Sequence, residues 1–245
     1  MSAMMFYSNP TPLDKKKHAN IKLQRQNNYD FAANSNSLPV AGFEFFEASR
    51  SFPIFFVKNS QEQYVPIAIL SLRSKGHELG SNWEGAYVPA YVRRYPFVLS
   101  SDGVVLFDAD APHLQEQDGD ELFKNDEGEP TETLENIVQF LKTVDQGFRL
   151  TEEFCKAAAE KELFSKFSGG IKLPQGTINL GELYIINEKS LHEKLDEKDV
   201  YEWFNKGWLA WAHAHLHSLG SMNEVLKRAR NAAPAAQETS EETSA

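Results

Sequence analysis

Two adjacent arginines set among tyrosines are the side chains of this 245-residue chain best equipped for binding chemistry. They lie in Tyr87-Val88-Pro89-Ala90-Tyr91-Val92-Arg93-Arg94-Tyr95-Pro96-Phe97, where four aromatic rings and two prolines share eleven residues. A guanidinium is a planar fork of donors that grips a carboxylate through two parallel hydrogen bonds or stacks on a ring. The candidate ligand-binding set is therefore Arg93 and Arg94 with Tyr87, Tyr91 and Tyr95. The group it would hold is a peptide or small-molecule carboxylate. The same arginines could instead pair with a structural carboxylate or with carbonyls at a helix end, and both readings stay open. Each proline fixes its own φ and biases the residue before it toward extended geometry, so a stiff, largely extended strip is expected.

The histidines suggest less. His213 and His217 are four apart and share a helix face, while His215 points away. An i, i+4 histidine pair can ligate zinc, but the metalloprotease pattern needs Glu directly after the first histidine, and Ala214 stands there. No metal or cofactor is expected. His215 is kept as a sixth candidate ligand-binding residue, the alternative being a buried, hydrogen-bonded histidine. No histidine is followed two positions on by Asp or Glu, so the facial triad of iron oxygenases is missing. Gly-rich phosphate loops and the Gly-x-Ser-x-Gly elbow are missing too. The catalytic residues, if any, are unknown. An enzyme would have to be assembled from scattered residues such as His215, Arg93, Tyr91 and Glu182.

Charge and composition bound the class. The net charge of −10 is concentrated between Asp108 and Glu135, which holds eleven carboxylates and one lysine, Lys124. Nucleic-acid binding needs a basic face, and only Lys15-Lys16-Lys17 approaches one, so no nucleic-acid partner is expected. No apolar run nears the ~20 residues of a membrane helix. The N-terminus lacks the pattern of a cleaved secretory signal. The single cysteine, Cys155, suits a reducing cytoplasm and is expected to be a buried structural thiol. From Asp118 the acidic stretch misplaces both a ligand and the glycine of a calcium loop. A solvated, mobile surface loop is expected there.

These residues need elements to hold them. Residues 1–37 are polar and read as an N-terminal arm, anchored by Tyr29 and Phe31. A globular domain follows over 38–230, and a disordered acidic tail over 231–245. Val40, Phe43 and Phe45-Phe46 suggest a strand and its exit. The run Pro53 to Val57 predicts a strand buried on both faces, returning through Tyr64 to Leu70, with Pro66 at an edge or bulge. Asp102-Gly103 between Phe97–Ser100 and Val104–Phe107 predicts a tight hairpin. Thr131 is expected to cap one helix to about Phe148 and Thr151 a second. A further hairpin at 171–180, a strand at 183–186 and a helical region from Asp196 to Arg230, broken near Gly207, complete the pattern. The fold class is α+β: a single domain of mainly antiparallel hairpins with C-terminal helices packed on the sheet.

Four motifs occur in order: Phe52-Pro53-Ile54-Phe55-Phe56-Val57, the segment from Tyr87 to Leu99, Gly181-Glu182-Leu183-Tyr184, and Ala214-His215-Leu216-His217-Ser218-Leu219. Together they resemble the bacterial SapC-like family over about residues 15–225. The resemblance implies a bacterial, cytoplasmic accessory protein linked by its label to peptide transport, and to uptake or modification of a substrate. It carries over no catalytic residue. The function expected is a soluble, non-catalytic protein that binds a peptide, protein segment or acidic ligand. The alternatives are an enzyme with an unfamiliar site, or an oligomeric interaction subunit using exposed Trp208 and Trp211.

Overall fold

The apolar run beginning at Ile54 becomes the middle strand of a five-stranded antiparallel sheet. The structure, a computed structural model, describes residues 4–26, 28–124, 128–168 and 182–232, with the backbone of two short strands at 171–173 and 176–178. In chain order the strands are β1 (Pro10–Pro12), β2 (Lys22–Leu23), β3 (Ser37–Pro39), β4 (Ile54–Lys58), β5 (Tyr64–Ile69), β6 (Phe97–Leu99), β7 (Val105–Asp108), β8 (Leu114–Gln115), β9 (Asp120–Glu121), β10 (Phe164–Lys166), β11 (Ile171–Leu173), β12 (Gly176–Ile178) and β13 (Tyr184–Ile186). The helices are α1 (Phe45–Ala48), α2 (Ala90–Arg93), α3 (Glu132–Glu160), α4 (Glu188–Lys194), α5 (Glu197–Asn205), α6 (Trp208–Ser218) and α7 (Met222–Asn231). Antiparallel sheets combined with helices give the α+β class read from the sequence.

The main sheet has the order β10-β13-β4-β5-β3, and a second sheet runs β1-β7-β6. Along β4 the side chains alternate between two cores. Ile54 and Phe56 pack with Phe45, Phe154 and Trp208, while Phe55 packs with Ile69, Leu183 and Val225. Burial on both faces is why the run is continuously apolar. In the β4–β5 turn the Asn59 carboxamide oxygen accepts the N–H groups of Gln61 and Gln63. β5 lies inside the sheet, and Pro66 stands where its pairing with β3 ends: its carbonyl accepts the Val40 N–H at 3.2 Å, but it has no N–H to return, and the ladder stops at Pro39 opposite Ile67. A third core, of Phe97, Phe107, Leu122, Leu134 and Leu141, lies under the second sheet. The hairpin expected at 171–180 has Ile171 opposite Ile178, with its turn outside the described residues. The tail from 233 also lies outside them.

The structure revises four local expectations. The two helices proposed to start at Thr131 and Thr151 are one continuous helix, α3. Thr131 does cap it, accepting the Leu134 N–H, but Thr151 sits mid-helix on the buried face. Its hydroxyl donates to the Gly147 carbonyl at 2.6 Å and accepts the Gly42 N–H at 2.7 Å, so the supposed cap is a tie to another element. Residues 42–48 form a 3-10 turn running into α1 rather than a strand exit. The Tyr87–Phe97 strip is not extended: after Pro89 it makes one helical turn, α2, and then enters β6. Proline is well suited to precede a helix, because the missing N–H would have had no intrahelical partner.

The acidic stretch is the fourth revision. It is not merely solvated loop. β8 and β9 both pair with β2 of the N-terminal arm, and Leu122 is fully buried. Asp108 is buried as well, accepting the N–H groups of Ser8 and Asn9 and the Tyr95 hydroxyl. Burial alone would raise its pKa, but these hydrogen bonds outweigh it and hold the carboxyl below its ordinary value.

One buried carboxylate positions α2. Glu44 ends the 3-10 turn with its side chain fully enclosed. One oxygen accepts the Tyr87 hydroxyl at 2.7 Å and the Ala90 N–H at 2.6 Å, and the other accepts the Ala41 N–H at 3.2 Å. Burial raises the Glu44 pKa, and the three hydrogen bonds and the Arg93 charge offset part of that rise. Beneath this turn, Gly42 lies against the Trp211 ring so closely that a Cβ would sit 2.4 Å from Cε3.

Glu44→Ala strands three buried donors at once and should cost about 3 kcal/mol or more in urea denaturation. Gly42→Ala drives a methyl into an indole that Phe45 and Phe154 hold in place; a loss of roughly 1–3 kcal/mol is expected. Asp108 adds a pH dependence. Its contribution is complete above the ordinary aspartate pKa of about 3.9, and is lost as pH falls through the depressed folded value. The stability gap between wild type and Asp108→Asn, followed by urea titration across pH, should therefore close on acidification.

Candidate functional site

The single turn of α2 sends its two arginines to different environments. Arg93 is substantially exposed. Its Nε donates to the Val88 carbonyl at 3.0 Å, its Nη2 lies 3.9 Å from Glu44, and the guanidinium covers the Phe140 ring. Arg94 is 7 % exposed and points inward. Its guanidinium carbon lies 4.2 Å from the centroid of the Tyr91 ring, a ring fully buried beneath it. The buried Nε and Nη2 atoms of Arg94 have no hydrogen-bond partner, and no described carboxylate forms an ion pair with it. The Tyr7 hydroxyl feels this charge: burial raises its pKa strongly, and the Arg94 charge opposes the rise.

Arg94 lines a cleft of about 210 Å³ at the seam between the main core and the third core. The end of α2, the short link after it and the start of β6 supply Arg93, Arg94, Tyr95 and Phe97. α3 supplies Ile137, Phe140 and Leu141, and the arm closes the remaining side from Leu23 to Phe31. Phe31 stacks on Tyr95 at 4.2 Å, and the His113 ring stands edge-on to both. Burial lowers the His113 pKa, so its imidazole is neutral at pH 7, and its buried Nδ1 has no partner. Tyr95 also donates to Asp108; burial, first, and that carboxylate raise its pKa and keep the phenol protonated. A buried cation with unpartnered donors, a neutral imidazole and a ring-lined wall thus share one cleft.

The six ligand-binding residues proposed from sequence are therefore divided. Arg93, Arg94 and Tyr95 line the cleft. Tyr91 lies under Arg94 and supports its charge, and Tyr87 is held away by Glu44. His215 belongs elsewhere: it is fully buried against Phe56, its Nε2 accepts the Ile186 N–H, and burial lowers its pKa to about 3. It ties α6 to the main sheet. Glu182 is exposed and paired with Lys166 at 2.6 Å, so the scattered set His215, Arg93, Tyr91 and Glu182 is not gathered at one place. Trp208 is buried, packed on Phe154 and Trp203, and Trp211 fills the space over Gly42. Of the tryptophans proposed for partner binding, Trp208 is core and Trp211 is half-buried against it; the fully exposed rings of this region are Tyr201 and Phe204 on α5. Cys155 is buried, which raises its pKa strongly.

Sequence reasoning missed Glu44, His113 and Phe140. Glu44 had one signal, a carboxylate wedged between Phe43 and Phe45 in an apolar run. His113 sits inside the acidic stretch, where local composition hides it. Phe140 follows the helical period of α3 and looks like any other face residue.

The SapC family model matches residues 13–225. No curated protein and no solved structure matches the chain. Among the described residues, no helix is long and apolar enough to cross a membrane. The family match takes in most of the arm, the main sheet, β6 and β7 of the second sheet and the walls of the cleft, and on that ground the chain belongs to the SapC family.

Proposed function

We propose that this protein is a non-catalytic binding protein that holds an acidic ligand through Arg94. One observation carries the reading: a buried guanidinium with two unpartnered donors belongs to the lining of a cleft, and no described side chain neutralises it by an ion pair. Burying an isolated charge is expensive, and such a charge is normally paired. Here the Tyr91 ring gives only partial compensation. A ligand carboxylate completes the arrangement, its two oxygens meeting the two parallel N–H bonds of Nε and Nη2. A small organic acid and an acidic peptide both present that group. An accessory role in substrate uptake or modification, in a bacterial cytoplasm, fits a receptor of this kind, and the buried single thiol agrees with a reducing compartment.

The test is thermal denaturation against a panel of organic acids and acidic peptides, each beside its neutral amide. Acids that bind the folded state should raise Tm, with about 2.7 kcal/mol gained at a hundredfold excess over Kd. The amides should not, and Arg94→Gln should abolish the response. Without ligand, Arg94→Met should cost less than about 1 kcal/mol, against about 3–5 kcal/mol for breaking a buried ion pair. Equal responses from acids and amides, or from wild type and Arg94→Gln, would sink the proposal.

A further inference from the structure

Resting on Arg94 as the anion anchor, we infer that the ligand is a small aromatic monocarboxylic acid, its ring held against the Phe31–Tyr95 stack and Phe140. Charge accounting sets the single negative charge. Three arginines line the cleft, but Arg25 is paired with Asp120 at 2.8 Å, and Arg93 is engaged by the Val88 carbonyl and Glu44. Only Arg94 is buried and uncommitted. One cation balances a carboxylate; a phosphate dianion would bring a second charge into a cleft whose histidine is neutral.

The donor geometry agrees. Nε and Nη2 lie along one edge of the guanidinium and match the two oxygens of one carboxylate. The walls select the rest of the molecule. Phe31 and Tyr95 form a stack inclined at 25°, which a third ring can extend or meet edge-on. Ile137, Leu141 and Phe140 offer apolar surface from α3. The His113 Nδ1 is the remaining unsatisfied polar atom of the lining, and a hydroxyl or N–H on the ligand ring would meet it. A cleft of about 210 Å³ suits a single-ring acid better than an extended peptide.

The experiment is calorimetric titration of the full chain with phenylacetate, 4-hydroxyphenylacetate, phenylacetamide, acetate and inorganic phosphate. At least one of the aromatic acids should bind about tenfold or more tightly than acetate, the gain expected for burying a ring. Phenylacetamide and phosphate should give no heat of binding at millimolar concentration. Arg94→Gln should lose binding of both aromatic acids. Phe140→Ala removes a half-buried ring outside the core clusters, so the fold should persist. It should weaken the aromatic acids severalfold and leave acetate unchanged. Should acetate bind as tightly as the aromatic acids through Arg94, the aromatic inference falls and the acidic-ligand reading stands. Tightest binding of phosphate through Arg94 has the same consequence. If neither aromatic acid binds, the aromatic inference falls. If no acid binds and Arg94→Gln behaves as wild type, both fall together.

Discussion

The enclosed carboxylate of Glu44 is the contact on which the arrangement of this protein depends. It joins two distant pieces of chain, the 3-10 turn at 42–44 and the entry to α2 from Tyr87 to Ala90. A four-residue helix has too few internal hydrogen bonds to hold itself. Its position comes from outside, and Glu44 supplies it. With α2 fixed there, Tyr91 turns into the core and Arg94 is carried to the seam between two cores. The turn bearing Glu44 is itself tied down: the Thr151 hydroxyl takes the Gly42 N–H, and the absence of a side chain at Gly42 admits Trp211.

A charge placed in that way is a liability to the fold. Tyr91 shields it from one side, and the Tyr7 hydroxyl lies close enough to feel its charge. Neither carries an opposite charge. The contrast with Arg93, one residue earlier, is informative: that guanidinium has a carbonyl, a nearby carboxylate and an exposed position. Neighbouring arginines in one motif thus have different physical tasks. Local departures from full satisfaction of buried polar groups gather where proteins bind or react.

The N-terminal arm and the acidic stretch are two halves of one device. β2 runs between β8 and β9, Arg25 pairs with Asp120, and Lys22 approaches Glu121 at 3.6 Å. Asp108 receives two arm N–H groups, and Phe31 stacks on Tyr95. The carboxylates that dominate the charge of the chain therefore help fasten the wall of the cleft. The exposed ion pairs among them are weak individually and screened by salt. The buried Asp108 contacts and the ring stack provide the firmer hold.

The sequence alone determined the α+β class, the β4–β5 and β6–β7 hairpins, the strand at 184–186 and the helix break at Gly207. These follow from periodicity and turn chemistry, which act over a few residues. Gly207, for instance, takes a φ of +73 that most other residues avoid. It also singled out the arginine pair, because a motif so dense in rings and charge has few purely solvated uses. It did not decide which arginine is buried, that Thr151 is a tie rather than a cap, that His215 is core, or that carboxylates at 108–121 hold the arm. Each of those depends on a partner far along the chain: Tyr7 lies 90 residues from the Phe97 carbonyl it bonds, and Gly42 lies 109 residues from Thr151. Side-chain type states what a group can do, but only the tertiary structure, by granting or withholding a partner, decides whether a buried charge is satisfied or left open.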